Sequence, residues 1–134
     1  MTYLLDVNAL VALGLLQHEF HERTARRVRT IAHEEMAELA TCAITEIGFI
    51  RVVARAQQYG FSVAQARELL MRLKSAGVLK FAFVCDDHGI AQLPRWARTA
   101  KQITDGHLAG FARSRGAILA TLGRKVPGAY LIPK

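Results

Sequence analysis

Short strand-like runs alternate with helical stretches along the whole chain, and this alternation restricts the fold more than any other feature. "TYLL" gives way to a segment in which Val7, Leu10, Val11 and Leu13 fall near helical spacing, so Asp6 sits where a strand yields to a helix. "ELATC", "VLKFAFVC" and "AILATL" are the later strand-like runs. Between "TYLL" with its helix and "ELATC" lies an amphipathic helix with Phe20, Ala25, Val28, Ile31 and Ala32 on one face. A helical pair follows: "AITEIGFIRVVARAQQYG", stopped by Gly60, and "SVAQARELLMRLKSAG", capped by Ser62 and stopped by Gly77. "TDGHLAGFARSRG" is a further helix, begun by Thr104 and closed by Gly116. Strands separated by helices predict a mostly parallel sheet covered on both faces, whose ligand sites gather at the carboxyl ends of strands.

At 134 residues the expectation is one domain, residues 1–134, with neither an internal repeat nor a Pro/Gly/Ser-rich linker. Asp6, Glu46 and Arg51 break the apolar stretches well short of a membrane span, and the acid at position 6 is foreign to a secretory signal. A cytoplasmic protein is expected. In that setting Cys42 and Cys85 read as buried free thiols, and without a Cys-x-x-Cys pair no zinc site is indicated. Eighteen Lys and Arg against eleven Asp and Glu give a net charge of +7, which favours an anionic partner such as nucleic acid or an acidic protein. No glycine-rich nucleotide loop and no strand–turn–helix nucleophile signature is present.

Three acids occupy the starts of elements: Asp6 after the first strand, Glu46 in the first turn of one helix, and Asp105 in the first turn of another. Any one of them could merely complement a helix dipole. Gathered together, carboxylates repel and need a cation to remain ionised, and oxygen ligands of this kind suit Mg²⁺ or Mn²⁺. Such an ion, bridged to phosphate oxygens, lowers the pKa of water and neutralises developing charge.

The segments "YLLDVNALVAL", "ATCAITEIGFIRVV", "ITDGHLAGFARSRGAILATLGRK" and "PGAYLIP" together resemble the PIN domain, specifically the VapC ribonuclease toxins, over essentially the whole chain and in the right order. The resemblance implies a three-layer α/β/α fold with a mostly parallel central sheet and Mg²⁺- or Mn²⁺-dependent hydrolysis of RNA phosphodiesters. It implies that Asp6, Glu46 and Asp105 are the catalytic, metal-binding acids, with Asn8 supporting the site by hydrogen bonding and Thr104 belonging to the Thr-Asp helix start. A VapB-type antitoxin that holds the toxin inactive and a homodimer are also implied.

Position 123 departs from the family pattern, which usually carries a fourth aspartate where this chain has Gly123 in "ATLGRK". The expected consequence is a less negative pocket and a weaker second metal site. The alternative reading is therefore an impaired PIN module that binds RNA or antitoxin without cutting. Asp86 and Asp87 in "CDDHG" read as a polar turn, His18 and His21 as a solvated helix face, and His107 as facing solvent or a neighbouring chain. Arg51, Arg55, Arg113, Arg115, Arg124 and Lys125 are expected to line the approach to the acids and bind RNA phosphates or an acidic antitoxin.

Overall fold

The computed structural model describes residues 1–77, 79–123 and 125–134; Val78, at the head of the "VLKFAFVC" run, and Arg124 lie outside the described residues. In chain order the elements are β1 (Thr2–Leu5), α1 (Val7–Gly14), α2 (His21–Ile31), β2 (Glu38–Thr41), α3 (Ala43–Arg55), α4 (Val63–Ala76), β3 (Phe81–Phe83), α5 (Ile103–Ser114), β4 (Ala117–Thr121) and β5 (Tyr130–Leu131). Short 3-10 turns cover Gln57–Tyr59, Ile90–Gln92 and Ala100–Gln102.

The strands form one five-stranded sheet in the order β3-β2-β1-β4-β5, and every pairing is parallel. Strand alternation sends side chains to two cores, which makes the architecture three-layered. Tyr3 and Leu5 of β1, Leu39 of β2 and Ala120 of β4 pack with Leu10, Ile31, Phe49, Val53 and Leu70, so α1 to α4 contribute to the first core. Leu4, Ala40 and Leu119, one residue out of phase, pack with Leu108, Phe111 and Ala112 of α5 on the opposite face.

Local chemistry sets most boundaries. Asp6 caps α1 by accepting from the Ala9 N–H at 2.7 Å, and Ser62 with Gln65 forms a reciprocal capping box at the start of α4. Gly60, at φ 68°, closes the turn after α3 in a left-handed conformation that suits glycine. At Gly48 of α3 the absence of a side chain permits close contact with α1, because a Cβ there would lie 2.4 Å from Val7 Cγ2.

Three details differ from the sequence-based expectation. Helix α5 begins at Ile103 after a 3-10 turn, so Thr104 stands exposed inside the first turn and does not cap it. Cys42 is buried as expected but Cys85 is exposed, because the chain has left β3 by that point; both are free thiols. The edge strand β5, only two residues long, presents no alternation to read. No helix among the described residues is long and apolar enough to cross a membrane.

Candidate active site

Strand order determines where a site can form. Strands β2 and β3 lie on one side of β1 and β4 and β5 on the other, so the crossover direction reverses between β1 and β4 and leaves a crevice at their carboxyl ends. Asp6 follows β1 there, and its backbone N–H donates to the Ala120 carbonyl at 3.0 Å. With Leu5 opposite Ala120 and Leu4 opposite Ala40, Asp6 comes beside Thr121 and close to the end of β2.

Asp6 is 6% exposed. Its Oδ1 accepts from the Ala9 N–H and its Oδ2 from the Thr121 hydroxyl, whose oxygen in turn accepts from the Gly123 N–H at 2.9 Å. A relay therefore runs from the Gly123 backbone through Thr121 to the buried carboxylate. Burial raises the Asp6 pKa above the ordinary carboxylate value; the Thr121 and Ala9 bonds oppose the shift and the nearby Asp105 charge adds to it. Asp105, half-buried in the first turn of α5, is also raised, by burial. Two carboxylates pushed the same way at one crevice form a site that a cation would relieve.

Glu46 is held differently. Its Oε2 accepts from the Thr41 hydroxyl at 2.6 Å and pairs with Lys74 of α4, both side chains being about a quarter exposed at most. Thus the last residues of β2 and β4 are both threonines that donate to an acid on a neighbouring helix start. Among the described residues no group of three or more His, Cys, Asp or Glu side chains is gathered tightly enough to hold a metal ion. The donor set still fits Mg²⁺ or Mn²⁺, since hard cations of that size commonly use one or two carboxylates and fill the remaining positions with water and phosphate. Asp6 and Asp105 would be the pair available to such an ion, since Glu46 is engaged by Lys74.

The other expected residues fall in varied places. Asn8 is exposed in the first turn of α1, and the Asp6 oxygens are taken by Ala9 and Thr121, so the support expected of Asn8 comes from Thr121. Gly123 is exposed and contributes its N–H, with no side chain toward the site. Arg51 lines a cleft of about 540 Å³ between α3 and α4 with Glu46, Ile47, Met71 and Arg67, the last a cation that sequence reasoning did not single out. Arg55 lies nine residues beyond Glu46, roughly 13 Å along the axis of α3. Arg113 lines a separate cleft with Met1 and Ala117, at the amino ends of the strands, and exposed Arg115 pairs with Asp87. Lys125 is exposed, and Arg124 lies outside the described residues. His107 is largely buried against Phe111 and pairs with Asp86, contrary to the solvent-facing expectation, because α5 turns that face toward the β3–α5 connection.

Residues 3–129 match the family described as PIN domain. The chain is 37% identical to Ribonuclease VapC38 of Mycobacterium tuberculosis, over 88% of this chain and 82% of that protein. It is 32% identical to Ribonuclease VapC44 of the same species, over 96% and 94%. The fold resembles that of VapBC2 from Rickettsia felis, solved bound to a DNA fragment from their promoter, with a TM-score of 0.64, 15% identity, and coverage of 98% of this chain and 97% of that one. VapBC-1 from nontypeable Haemophilus influenzae resembles it with a TM-score of 0.57 at 20% identity, over 90% and 86%.

Proposed function

The chain belongs to the PIN-domain family, in its VapC-type branch, and from that premise we propose that it is a toxin endoribonuclease that hydrolyses RNA phosphodiesters with Mg²⁺ or Mn²⁺ and is held inactive by a VapB-type antitoxin. The observation that carries this reading is the buried Asp6 carboxylate at the β1/β4 crevice, held by Thr121 and Ala9, with Asp105 near enough for its charge to add to the rise in the Asp6 pKa. In the proposed mechanism Asp6 and Asp105 would hold the cation. When bound, the ion supplies Lewis acidity at the phosphate and lowers the pKa of water.

Thr121 keeps Asp6 in one orientation, so that the carboxylate meets its ligand without a reorganisation cost. Glu46 acts from the neighbouring strand end, its carboxylate fixed by Thr41 and Lys74 so that it can orient the attacking water by hydrogen bonding. Arg51 and Arg67 offer guanidinium groups for RNA phosphates beside Glu46. A VapB-type partner belongs to the same proposal, supported by relatives named VapC and fold neighbours solved as VapBC; the homodimer is carried over from the family resemblance alone.

A second reading, an impaired module that binds RNA or antitoxin without cutting, is favoured by two features: Gly123 brings no carboxylate, and Glu46 is partly neutralised by Lys74. One experiment separates the two. An aspartate fits at position 123, where a Cβ meets only Thr121 Oγ at 3.4 Å and the backbone is not left-handed. Purified wild type, Asp6→Asn and Gly123→Asp are incubated with total cellular RNA, in Mn²⁺ and in chelator. Chelator-sensitive cutting by wild type and Gly123→Asp, absent in Asp6→Asn, is the expected result. Cutting by Gly123→Asp alone would establish the impaired module, and cutting that persists in Asp6→Asn would remove the assigned centre.

A further inference from the structure

A second cleft, of about 250 Å³, lies between the turns that carry two of the candidate acids. Ile44 enters it from the first turn of α3, two residues before Glu46, while Ile103 and Thr104 enter from α5 immediately before Asp105. The remaining wall comes from His107, one turn along α5, and from His88 and Ile90 in the β3–α5 connection. Nothing in the acid centre described above uses this space.

The histidines are held in place. Asp86 accepts from the His88 backbone N–H at 2.9 Å through one oxygen and pairs with His107 Nε2 through the other, its side chain 12% exposed and that of His107 16%. The His107 ring lies nearly parallel to Phe111, with centroids 6.2 Å apart, and His88 meets Phe111 edge-on at 5.7 Å. Asp86 thus joins the connecting segment to α5, orienting the His107 ring through Nε2 and holding the His88 backbone, while Phe111 packs against both rings, a role larger than closing a polar turn. Around them stand aliphatic side chains that no core claims: Ile90 is 79% exposed, and Ile44 and Ile103 each 38%.

Aliphatic walls, fixed ring edges and a threonine hydroxyl are the components that recognise a flat heterocycle, and single-stranded RNA is read by stacking unpaired bases and bonding their edges. The volume is below the about 300–1,000 Å³ of clefts that enclose drug-sized ligands, which suits one base rather than two. We propose that this cleft is a base-binding subsite taking one unstacked nucleobase of single-stranded RNA adjacent to the scissile phosphate. Ile44, Ile90 and Ile103 cover the base, and His88, Thr104 and His107 contact its polar edge. This deepens the nuclease reading and takes RNA as the ligand from it.

The test uses short single-stranded RNAs carrying 4-thiouridine or 6-thioguanosine, photo-crosslinked to the full chain in EDTA and mapped by mass spectrometry. Crosslinks are expected in the peptides containing His88–Leu93 and Ile103–His107. Ile90→Ala and His88→Ala should each weaken them roughly 5-fold or more, the loss expected when a base loses a stacking or edge contact. Because Ile90 is exposed, its truncation leaves the fold intact, which a melting curve checks. In a Mn²⁺ cleavage arm the same variants should flatten the base preference beside the cut. Crosslinks that avoid these peptides, or that survive both substitutions undiminished, would overturn the subsite whether or not the protein cuts RNA. Crosslinks at the cleft without any cleavage would retain the subsite and refute the nuclease reading instead.

Discussion

Thr121→Val tests the relay at the centre of the site. Thr121 is 3% exposed and nearly isosteric with valine, so the substitution leaves packing largely intact and removes two hydrogen bonds, one to Asp6 Oδ2 and one from the Gly123 N–H. Gly123 is exposed and can turn its N–H to water, so the loss falls on the buried carboxylate. A hydrogen bond to a charged group contributes about 1.5–3 kcal/mol. For a chain of this length each kcal/mol moves the melting temperature by roughly 3–5 °C, so the variant should melt roughly 5–15 °C below wild type at neutral pH. The sign of the pH dependence follows from linkage. Thr121 favours ionised Asp6 and opposes the upward pull of burial, so without it the Asp6 pKa climbs further. The stability gap should be widest above the variant's own Asp6 pKa and narrow as acid protonates Asp6 in both proteins. Thermal melts by circular dichroism in chelator, between about pH 4 and 8, would measure this, with Thr121→Ser restoring most of the loss. A valine variant that melts with wild type across that range would refute the claim that this hydroxyl sustains the charge on Asp6.

Two other perturbations bear on the same crevice. The raised Asp6 pKa means that its contribution to stability is most favourable below the ordinary carboxylate value and is lost as pH rises through the folded value, so chelated Asp6→Asn should be at least as stable as wild type at neutral pH, with a flatter pH profile. Addition of Mn²⁺ should then stabilise wild type, by about 2.7 kcal/mol at a hundredfold excess over Kd, and leave Asp6→Asn unmoved; equal stabilisation of both in calorimetry would show that the ion binds elsewhere. Gly48→Ala should cost about 1–2 kcal/mol in urea unfolding, because the clash with Val7 outweighs the helix-propensity gain. It should also weaken Mn²⁺ binding through a shift of α1 beside Asp6; unaltered stability would mean that α1 and α3 separate freely.

The alternation of strand-like and helical segments, the strand-to-helix junction at Asp6 and the Ser62 cap were legible in the sequence because each depends on contacts a few residues apart, whereas α3 ends at Arg55, and Gly60 closes the 3-10 turn that follows it. They sufficed for a parallel α/β sheet and for Asp6 at a strand end. The tertiary structure alone decided which groups meet Asp6: Thr121 lies 115 positions away and reaches it only through the β1–β4 register, with no periodicity to announce it. Likewise Lys74 reaches Glu46 across 28 positions because α3 and α4 pack side by side, and His107 reaches Asp86 across 21 because α5 folds back on the β3–α5 connection. Local propensity chose the elements, whereas the charge state and orientation of the acids depend on burial and on partners supplied by other elements. Those properties arise only once strand order has brought the carboxyl ends of β1 and β4 together.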